Sequence, residues 1–445
     1  MNIPNDWDRS NERTARTRTR RPLGAAGSTA LALFLGLAAL AGADDKAVSP
    51  DAAAPTDLAP PAEAAPAAVT PAPGETLPDW LGGYSLENLG RLYKNEESPW
   101  VQELWVLGRY HGQYHVADGS AANDQGWENR RFRIGGQTRL FQKLTIHAQM
   151  VSGNDLEKFY NGFTELWAGW KFNDAVTLTI GQQKHRFTHD RNISSRYINY
   201  LERSMLTNMF GADYTPALTL SGKVLNWNYY TGVFSNATSK NIDYYFTHYN
   251  SGFSLLTNAN HELGKFGKDG TAWLNLSYVY SDANSNATNL NRFDHGAAAA
   301  LILTHGPMSL VTEFTAGVGS PKGDAYGINL QPGIFLTKRI QLVGRYQYAG
   351  SPKSTGLAAQ RRYERGAGLT TGDSYNAGYL GLNYYLAEHR IKFMTGVEIS
   401  ALGGETVWTG SLMVRVFFGP HSRGPFPMAQ VLQPLIAGDD GGDGD

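Results

Sequence analysis

Three arginines occupy alternate positions in one short stretch of the sequence. Arg131, Arg133 and Arg139 share one parity of residues 130–150, and the opposite parity is apolar from Phe132 onward. Guanidinium groups stay charged and bind carboxylate and phosphate oxygens through paired N–H donors. A row of them in a narrow aqueous path lowers the energy of an anion along that path. The chemistry that these residues offer is anion binding without bond making.

A second basic group occupies the long segment 184–215, which has no strand pattern. Segments of this length usually have a function or are disordered. A basic loop folded into a channel would narrow it and favour anions, whereas the alternative is a lid lying on top of the barrel. The segment holds Lys184, His185, Arg186, His189, Arg191, Arg196 and Arg203, against the acidic residues Asp190, Glu202 and Asp213.

Other basic residues fall on the same parity of further extended segments, and acidic residues are fewer there. Mixed structural charge is the alternative interpretation for any one of them. The parity includes Arg109, His111, His147, Lys171, Lys392 and Arg415, with Glu165, Glu313 and Glu398 as its acidic members. The expected anion pathway is Arg131, Arg133, Arg139, Lys184, Arg186, Arg191, Arg196, Arg203, Lys223 and Arg345.

Residues for bond-making chemistry are poorly placed. The chain contains no cysteine, which removes thiolate nucleophiles and thiolate metal ligands. The motif G-x-S-x-G does not occur, and His185 and His189 stand four apart in an expected loop, not on a helix. We therefore expect no catalytic site, no cofactor and no metal.

Strands are the elements that carry the arginines. Alternate residues of a strand point to opposite faces, and the period within 130–150 is 2, not 3.6. From Trp100 to Phe418 about sixteen such segments follow one another, each of roughly ten residues. Tilted strands of about this length span the hydrocarbon core of a bilayer, and in lipid such a sheet must close on itself.

Long and short connections alternate along the chain, as in outer-membrane barrels. Two connections depart from the rule: Gly264–Gly270 is long for a turn, and Leu402–Glu405 is short for a loop. A soluble two-sheet β-protein, the alternative fold, has no reason to keep this alternation. The tight turns are expected at Gln142-Lys143, Asn173-Asp174, Leu225-Asn226, His305-Gly306, Thr337-Lys338 and Ala387-Glu388.

The ends of the chain have other compositions. Residues 1–43 combine a basic start with the apolar run Leu31–Leu40 and small residues, which predicts a cleaved export signal, with a permanent anchor as the alternative. The full chain has a net charge of −1, which argues against a nucleic-acid partner. The expected organisation is 1–43 signal, 44–78 Pro/Ala-rich linker, 79–99 short periplasmic segment with a helix near Leu86–Tyr93, 100–418 barrel and 419–445 flexible acidic tail.

Three stretches resemble a known family. In order they read NRRFRIGGQTRLF, IGQQKHRFTHDRNISSRYINYLERSMLTNMF and LGLNYYLAEHRIKFM, and together they resemble the phosphate-selective porins of the O and P type. The resemblance covers Trp100 to Phe418 and implies a sixteen-stranded trimeric barrel with its third loop folded inward. It implies passage of phosphate-like anions along arginines and lysines. By position, the matching residues are Arg131, Arg133 and Arg139 on the second strand and Lys184, Arg186 and Arg203 around the inward loop.

The sequence thus predicts an all-β fold, a closed transmembrane antiparallel β-barrel with an inward third extracellular loop. We expect it in the outer membrane of a Gram-negative type of cell, in contact with lipid and assembled as a homotrimer. The expected function is passive diffusion of small anions, with phosphate or polyphosphate as candidates. Two alternatives stay open: a general or carbohydrate-type porin, and a structural or adhesive barrel with little conductance.

Overall fold

The computed structural model describes residues 76–237, 250–267, 269–360 and 363–420. The expected export signal, nearly all of the Pro/Ala-rich linker and the acidic tail from residue 421 lie outside the described residues. Among the residues that the structure describes, none of the helices has the length and apolar character needed to cross a bilayer.

Sixteen antiparallel strands form a closed barrel, as the sequence predicts. Each strand pairs with the next in the chain, and the ring closes where β19 pairs with β2, from Val407↔Gly119 to Phe418↔Gly108. The barrel strands are β2 (Val101–Gly119), β3 (Asn123–Leu140), β4 (Leu144–Val151), β5 (Phe163–Lys171), β6 (Thr177–Lys184), β7 (Tyr214–Val224), β8 (Trp227–Ser235), β9 (Gly252–Phe266), β10 (Gly270–Ala283), β11 (His295–His305), β12 (Met308–Val318), β13 (Ala325–Phe335), β14 (Ile340–Gly350), β17 (Ser374–Ala387), β18 (Ile391–Leu402) and β19 (Glu405–Phe418).

Several smaller elements precede the barrel strands or lie between them. A short strand, β1, precedes the barrel, and a two-stranded hairpin lies between β14 and β17. These elements are β1 (Arg91–Lys94), β15 (Leu357–Ala358), β16 (Thr371–Gly372), the 3-10 helices Asp79–Leu81 and Asn154–Leu156, and the short α-helices α1 (His189–Asn192), α2 (Met205–Phe210) and α3 (Tyr363–Gly366).

One end of the barrel carries tight turns and is called the tight-turn end below. The expected alternation of turns and loops is confirmed, and Phe141, Gln142, Leu225 and Glu388 adopt positive φ in three of the turns. Two expected connections are shorter than the sequence indicated. The first loop comprises only residues 120–122, because β2 and β3 extend to 19 and 18 residues. The expected long turn of Gly264–Gly270 shrinks because β9 continues to Phe266.

The expected helix near Leu86–Tyr93 is wrong, since Arg91–Lys94 form a strand instead. The reason is that β19 leaves the first part of the β2 edge unpaired. Pairing between β19 and β2 stops at Gly108, and β1 continues along the same edge with Arg91 opposite Trp105. The guanidinium of Arg91 lies 5.7 Å from the centre of the Trp105 ring. Unpaired backbone groups at a sheet edge are satisfied by adding a strand, and β1 does this.

The two faces of the wall have different environments. Outward apolar side chains are well exposed, for example Ile180 and Leu412, as expected for a surface that meets lipid. Inward positions are polar, and the parity expected for residues 130–150 is confirmed: Arg133 is buried inside, where it bonds to Tyr214. Strand alternation therefore separates a lipid-facing surface from a lumen-facing one.

The long segment 185–213 between β6 and β7 folds into the barrel, as expected, and is called the inward loop below. Its apolar side chains pack against one another and against the wall, with Phe187, Tyr197 and Phe210 almost fully buried. The alternative of a lid lying on top is therefore wrong for this segment. The later loop 351–373 also packs inward, with Tyr363 in the same apolar cluster.

Candidate solute pathway

The backbone of the inward loop is held by cations from the wall. Arg415 of β19 donates from Nη1 to the carbonyls of Ser195 (3.2 Å) and Ile198 (2.9 Å). Its Nη2 donates to the carbonyls of Tyr200 (2.8 Å) and Leu201 (3.2 Å). Carbonyl groups that leave water need donors, and a guanidinium supplies five. Arg415 was not among the ten expected pathway residues, and its role in the structure is to position this loop.

Two further wall residues hold the same part of the loop. Nζ of Lys392 on β18 donates to the carbonyl of Ile198 at 2.8 Å. Nη1 of Arg109 on β2 donates to the hydroxyl of Ser195 at 2.6 Å. Basic lumen residues therefore converge on residues 195–201 from strands on both sides of the barrel seam.

Among the expected pathway residues, Arg345 of β14 is the one most fully engaged by other groups of the protein. Its Nη1 donates to the carbonyl of Glu202 at 2.6 Å, and its Nη2 pairs with Glu398 at 2.7 Å. The guanidinium lies 5.0 Å from the ring centre of Tyr200 and 5.7 Å from that of Tyr379. Because its side chain is only 1 % exposed, it shapes the loop more than it meets solute.

Arg133 and Arg191 face one aromatic ring. Nη1 of Arg133 donates to the hydroxyl of Tyr214 at 3.0 Å. The two guanidinium groups lie 5.1 Å and 5.4 Å from the centre of the Tyr214 ring, which favours cations over its face. Arg191 also contacts Asp213 at 3.4 Å. The structure thus brings a wall residue and a loop residue of the expected pathway together.

Arg131 lies near Arg130, an inward-facing arginine that strand alternation does not predict. A bulge shifts the β2–β3 register, so that Arg131 faces His111 while Arg130 is the extra residue. Arg130 therefore points inward despite its parity, and its Nη2 lies 2.7 Å from each carboxylate oxygen of Glu202. Nη1 of Arg131 is 3.4 Å from Nδ1 of His111. The signal for Arg130 in the sequence is only the doublet of basic residues, which does not by itself reveal a bulge.

Two expected residues stand apart from this group, at the tight-turn end. Arg139 forms an ion pair with Glu96, and its side chain remains 32 % exposed. It is eight residues from Arg131, which corresponds to about 27 Å along a strand at ~3.4 Å per residue. Lys223 is exposed, one residue before the end of β7. The triplet expected on β3 is therefore not one cluster.

Two of the remaining loop cations stabilise the loop itself. Nζ of Lys184 donates to the carbonyl of Ile193 at 2.8 Å. Nε and Nη2 of Arg203 donate to the carbonyls of Asp190 (2.9 Å) and Ile193 (3.0 Å). Burial and the neighbouring Arg191 lower the pKa of Arg203 to about 10, so that it remains charged at neutral pH.

Two others reach the wall and the end of the barrel. Nη1 of Arg186 is 3.3 Å from the carbonyl of Asn192, and its guanidinium lies 5.5 Å from the ring centre of Tyr230. Nη1 of Arg196 donates to the carbonyl of Pro420 at 3.0 Å, and the group lies over Phe417. Arg196 thereby ties the inward loop to the residues that follow β19.

The two loop histidines do not contribute positive charge. Burial lowers the pKa of His185 to about 3, with Arg191 adding to the effect. Burial lowers the pKa of His189 to about 4, although Asp190 opposes this. Both rings are therefore neutral at pH 7. The positive potential of this segment comes from its arginines.

The wall opposite the basic strands carries a cluster of amide side chains. On β9 and β10, Nδ2 of Asn275 donates to the amide oxygens of Asn258 (2.8 Å) and Asn260 (2.9 Å). Nδ2 of Asn258 in turn donates to the carbonyl of Arg186 at 3.0 Å. The inward loop therefore contacts a basic wall on one side and an amide wall on the other. Over the part of the chain that the structure describes, no group of three or more metal-ligating side chains could hold an ion.

Comparison with known proteins agrees with this architecture. Residues 106–396 match the family model described as phosphate-selective porin O and P. Among solved structures, the high-pH structure of Pseudomonas putida OprB is similar, with a TM-score of 0.53 and 13 % identity over 71 % of this chain and 94 % of that one. This likeness shows the fold alone.

Other solved structures are similar at lower scores. They include OmpT of Vibrio cholerae (TM-score 0.48, 11 % identity, 73 % of this chain and 100 % of that one) and OmpF of Salmonella typhi (0.48, 10 %, 70 % and 97 %). No curated protein sequence matches the chain significantly.

Proposed function

The chain belongs to the phosphate-selective porin O and P family, which makes it an outer-membrane porin, and from this premise we propose that it admits small anions in preference to cations. The barrel sits in lipid and lets solutes pass. Its tight turns then face the periplasm and its long loops face outward. What an individual member selects is decided by the side chains along its own pathway.

The observation that carries this proposal is the partly accessible arginine group beside β3. Arg130, Arg131 and Arg191 keep some exposure inside the barrel, and Arg133 is adjacent to them. Two carboxylates pair within the group, Glu202 with Arg130 and Asp213 with Arg191, so that guanidinium groups outnumber carboxylates. A surplus of guanidinium charge in a narrow aqueous space attracts anions and repels cations.

The ten residues expected from the sequence then divide into three proposed roles. Solute would meet Arg131, Arg133 and Arg191 most directly. The exposed Arg139 and Lys223 would collect anions at the periplasmic mouth, where screening by salt weakens their effect. The remaining residues would act by holding the inward loop in place, namely Lys184, Arg186, Arg196, Arg203 and Arg345.

Phosphate and polyphosphate are the finer proposal. A guanidinium presents two parallel donors that match two oxygens of a phosphate or carboxylate, and chloride offers no such geometry. Several arginines within one short path would therefore favour oxyanions over halides.

The test is the reversal potential of the refolded protein in planar bilayers under a gradient of potassium chloride. An anion-selective channel gives a reversal potential with the same sign as the equilibrium potential of chloride. Addition of inorganic phosphate should then reduce the chloride current in a saturable way. A reversal potential of the cationic sign would overturn the proposal, and a lack of any conductance would favour the structural or adhesive alternative.

The amide wall favours one second candidate, a general or carbohydrate-type porin. Asn258 and Asn275 are buried against the inward loop and do not meet solute, but they add no charge to their side of the lumen, where a neutral sugar would pass as readily as an anion. Liposome swelling with a neutral sugar and with phosphate at equal osmolarity separates the two. Faster swelling with the sugar would support the second candidate.

Three further features belong to the same proposal. Residues 1–43 would be removed on export, and residues 44–78 would form a tether. The barrel would assemble as a homotrimer in the outer membrane. Mass spectrometry of the mature protein and its size in mild detergent test these points, since an intact N-terminus or a monomer contradicts them.

A further inference from the structure

The carboxylate of Glu202 lies among arginines on the inner surface of the barrel. Nη2 of Arg130 is 2.7 Å from each of its oxygens and donates a hydrogen bond to Oε2. The charges of Arg131, Arg203 and Arg415 also act on it. One carboxylate among four guanidinium groups leaves a positive surplus at this point of the lumen.

This ion pair is only partly accessible from the lumen. The side chain of Arg130 is 15 % exposed and that of Glu202 is 12 % exposed. Nε of Arg130 has no hydrogen-bond partner among the described residues. Burial alone would raise the pKa of Glu202, but Arg130 and Arg131 outweigh it and hold the pKa below its ordinary value. The carboxylate is therefore ionised at neutral pH and resembles a bound anion.

We propose that Glu202 is a built-in competitor for the solute, which a small oxyanion displaces from Arg130 as it passes. This inference rests on the proposed function, because it assumes that anions use the arginine group. The ligand class is a carboxylate or a phosphate, since each presents a guanidinium with the same pair of oxygens as the Glu202 side chain does.

The backbone around Glu202 is held by contacts that do not involve its side chain. Arg345 holds the carbonyl of Glu202 at 2.6 Å, and Arg415 holds those of Tyr200 and Leu201. Release of the carboxylate from Arg130 then needs a change of side-chain rotamer and no movement of the backbone. The loop itself stays in place during the exchange.

A tethered competitor weakens solute binding without a change in the number of arginines. A group held close to its partner acts at an effective concentration in the millimolar range or above. The solute must compete with it, so occupancy falls and exit becomes faster. Conduction needs binding that is strong enough for entry and weak enough for release, and Glu202 would set that balance.

The test is the substitution Glu202→Gln, with inorganic phosphate as the probe. In planar bilayers, the phosphate concentration that halves the chloride current should fall by about tenfold, and the residence time of each blocking event should lengthen. The variant Glu202→Asp keeps the charge but reaches one methylene less far, and an intermediate value is expected. The matched control is Glu96→Gln, which removes the carboxylate paired with Arg139 at the mouth and should leave the half-blocking concentration within about twofold.

Two results would overturn the inference. An unchanged half-blocking concentration in Glu202→Gln would show that the carboxylate does not compete. A higher concentration would show that Glu202 helps to hold the anion. Channel formation by the Asp variant keeps the comparison available if the Gln variant does not insert. The reversal potential of the unmodified protein tests the proposed function separately, since cation preference there contradicts that function whatever the Gln variant does.

Discussion

Arg133 and Tyr214 connect the second barrel strand to the end of the inward loop, since Nη1 of Arg133 donates to the Tyr214 hydroxyl at 3.0 Å. The Tyr214 ring also receives Arg191 at 5.4 Å. An aromatic face attracts both cations. The two guanidinium groups are therefore kept in one place despite their like charge.

The first prediction concerns selectivity at this ring. Arg133→Ala and Arg191→Ala should each lower the ratio of anion to cation permeability by about threefold to fivefold, because one unit charge near a narrow aqueous path contributes roughly 1 kcal/mol. Reversal potentials under a salt gradient measure the ratio. Arg139→Ala removes the same charge at the periplasmic mouth, and its loss should be smaller, because that charge is paired with Glu96 and screened by salt. Equal losses in all three variants would contradict a local site at Tyr214.

Alternation predicted the face on which Arg131 and Arg133 lie, because side-chain direction in a strand depends only on parity. It could not predict that Arg139 is remote, since the length of β3 places that residue near the opposite end of the barrel. Alternation could not predict that Arg130 faces the lumen, because a bulge reverses the direction of its side chain. The local sequence pattern thus predicts the face of the strand on which a side chain lies, but not its position along the barrel axis.

The local sequence pattern could not predict which wall residues hold the inward loop, for a different reason. Arg415 stands 220 residues from Ser195 and meets it only when the barrel closes around the loop. The sequence placed Arg415 on the lumen side but gave no sign that it would hold carbonyl groups. The same holds for Arg345, which was expected to meet solute and instead pairs with Glu398. Which arginines bind the loop and which meet water is decided by tertiary contacts.

The second prediction concerns loop position. Arg415→Met keeps an unbranched apolar side chain but leaves the carbonyls of Ser195, Ile198, Tyr200 and Leu201 without this donor. We expect the docked state of the inward loop to lose roughly 2–4 kcal/mol. Single-channel recordings should show greater current noise, and limited proteolysis should cut the loop faster.

Arg415→Lys serves as the control for the second prediction. It keeps the positive charge but has three donors where arginine has five. It should therefore give noise and cleavage rates between those of the native protein and the Met variant. Native behaviour of the Met variant in both assays would show that the loop is held without Arg415.

The third prediction concerns pH and the loop 351–373. Burial raises the pKa of Glu364 from 4.5 to about 6, although the hydroxyl of Tyr375, at 2.7 Å, favours the ionised form. The folded loop therefore prefers the neutral carboxyl. Its stabilisation is present below the ordinary pKa and is lost as the pH rises through about 6, by about 2 kcal/mol.

Hydrogen exchange at pH 4 and pH 7, corrected for the intrinsic rates, measures that change. Amides of the loop should be less protected at the higher pH in the native protein. Glu364→Gln should abolish the difference, because the amide does not titrate. A pH effect of the same size in the Gln variant would assign it to another group.

The fourth prediction concerns the seam where the barrel closes. Arg390, in the turn between β17 and β18, donates to the carbonyls of Gly419 (2.7 Å) and Glu87 (2.8 Å). It thus joins the segment before the first barrel strand to the residue after the last one. A closed barrel has no other edge at which its two ends can separate, so a bond across this seam opposes opening of the whole sheet.

Arg390→Met should therefore lower the urea concentration at which the barrel unfolds, with a loss of about 3 kcal/mol in the free energy of unfolding. Arg339→Met is the matched control, because Arg339 donates to the carbonyls of Tyr385 and Leu386 at a turn away from the seam. Its loss should be smaller, since neighbouring strands there remain joined by a continuous ladder. If both variants lose the same amount, the contribution of Arg390 is that of any arginine that binds turn carbonyls, and the closing contact between the two ends of the chain has no special part in holding the barrel shut.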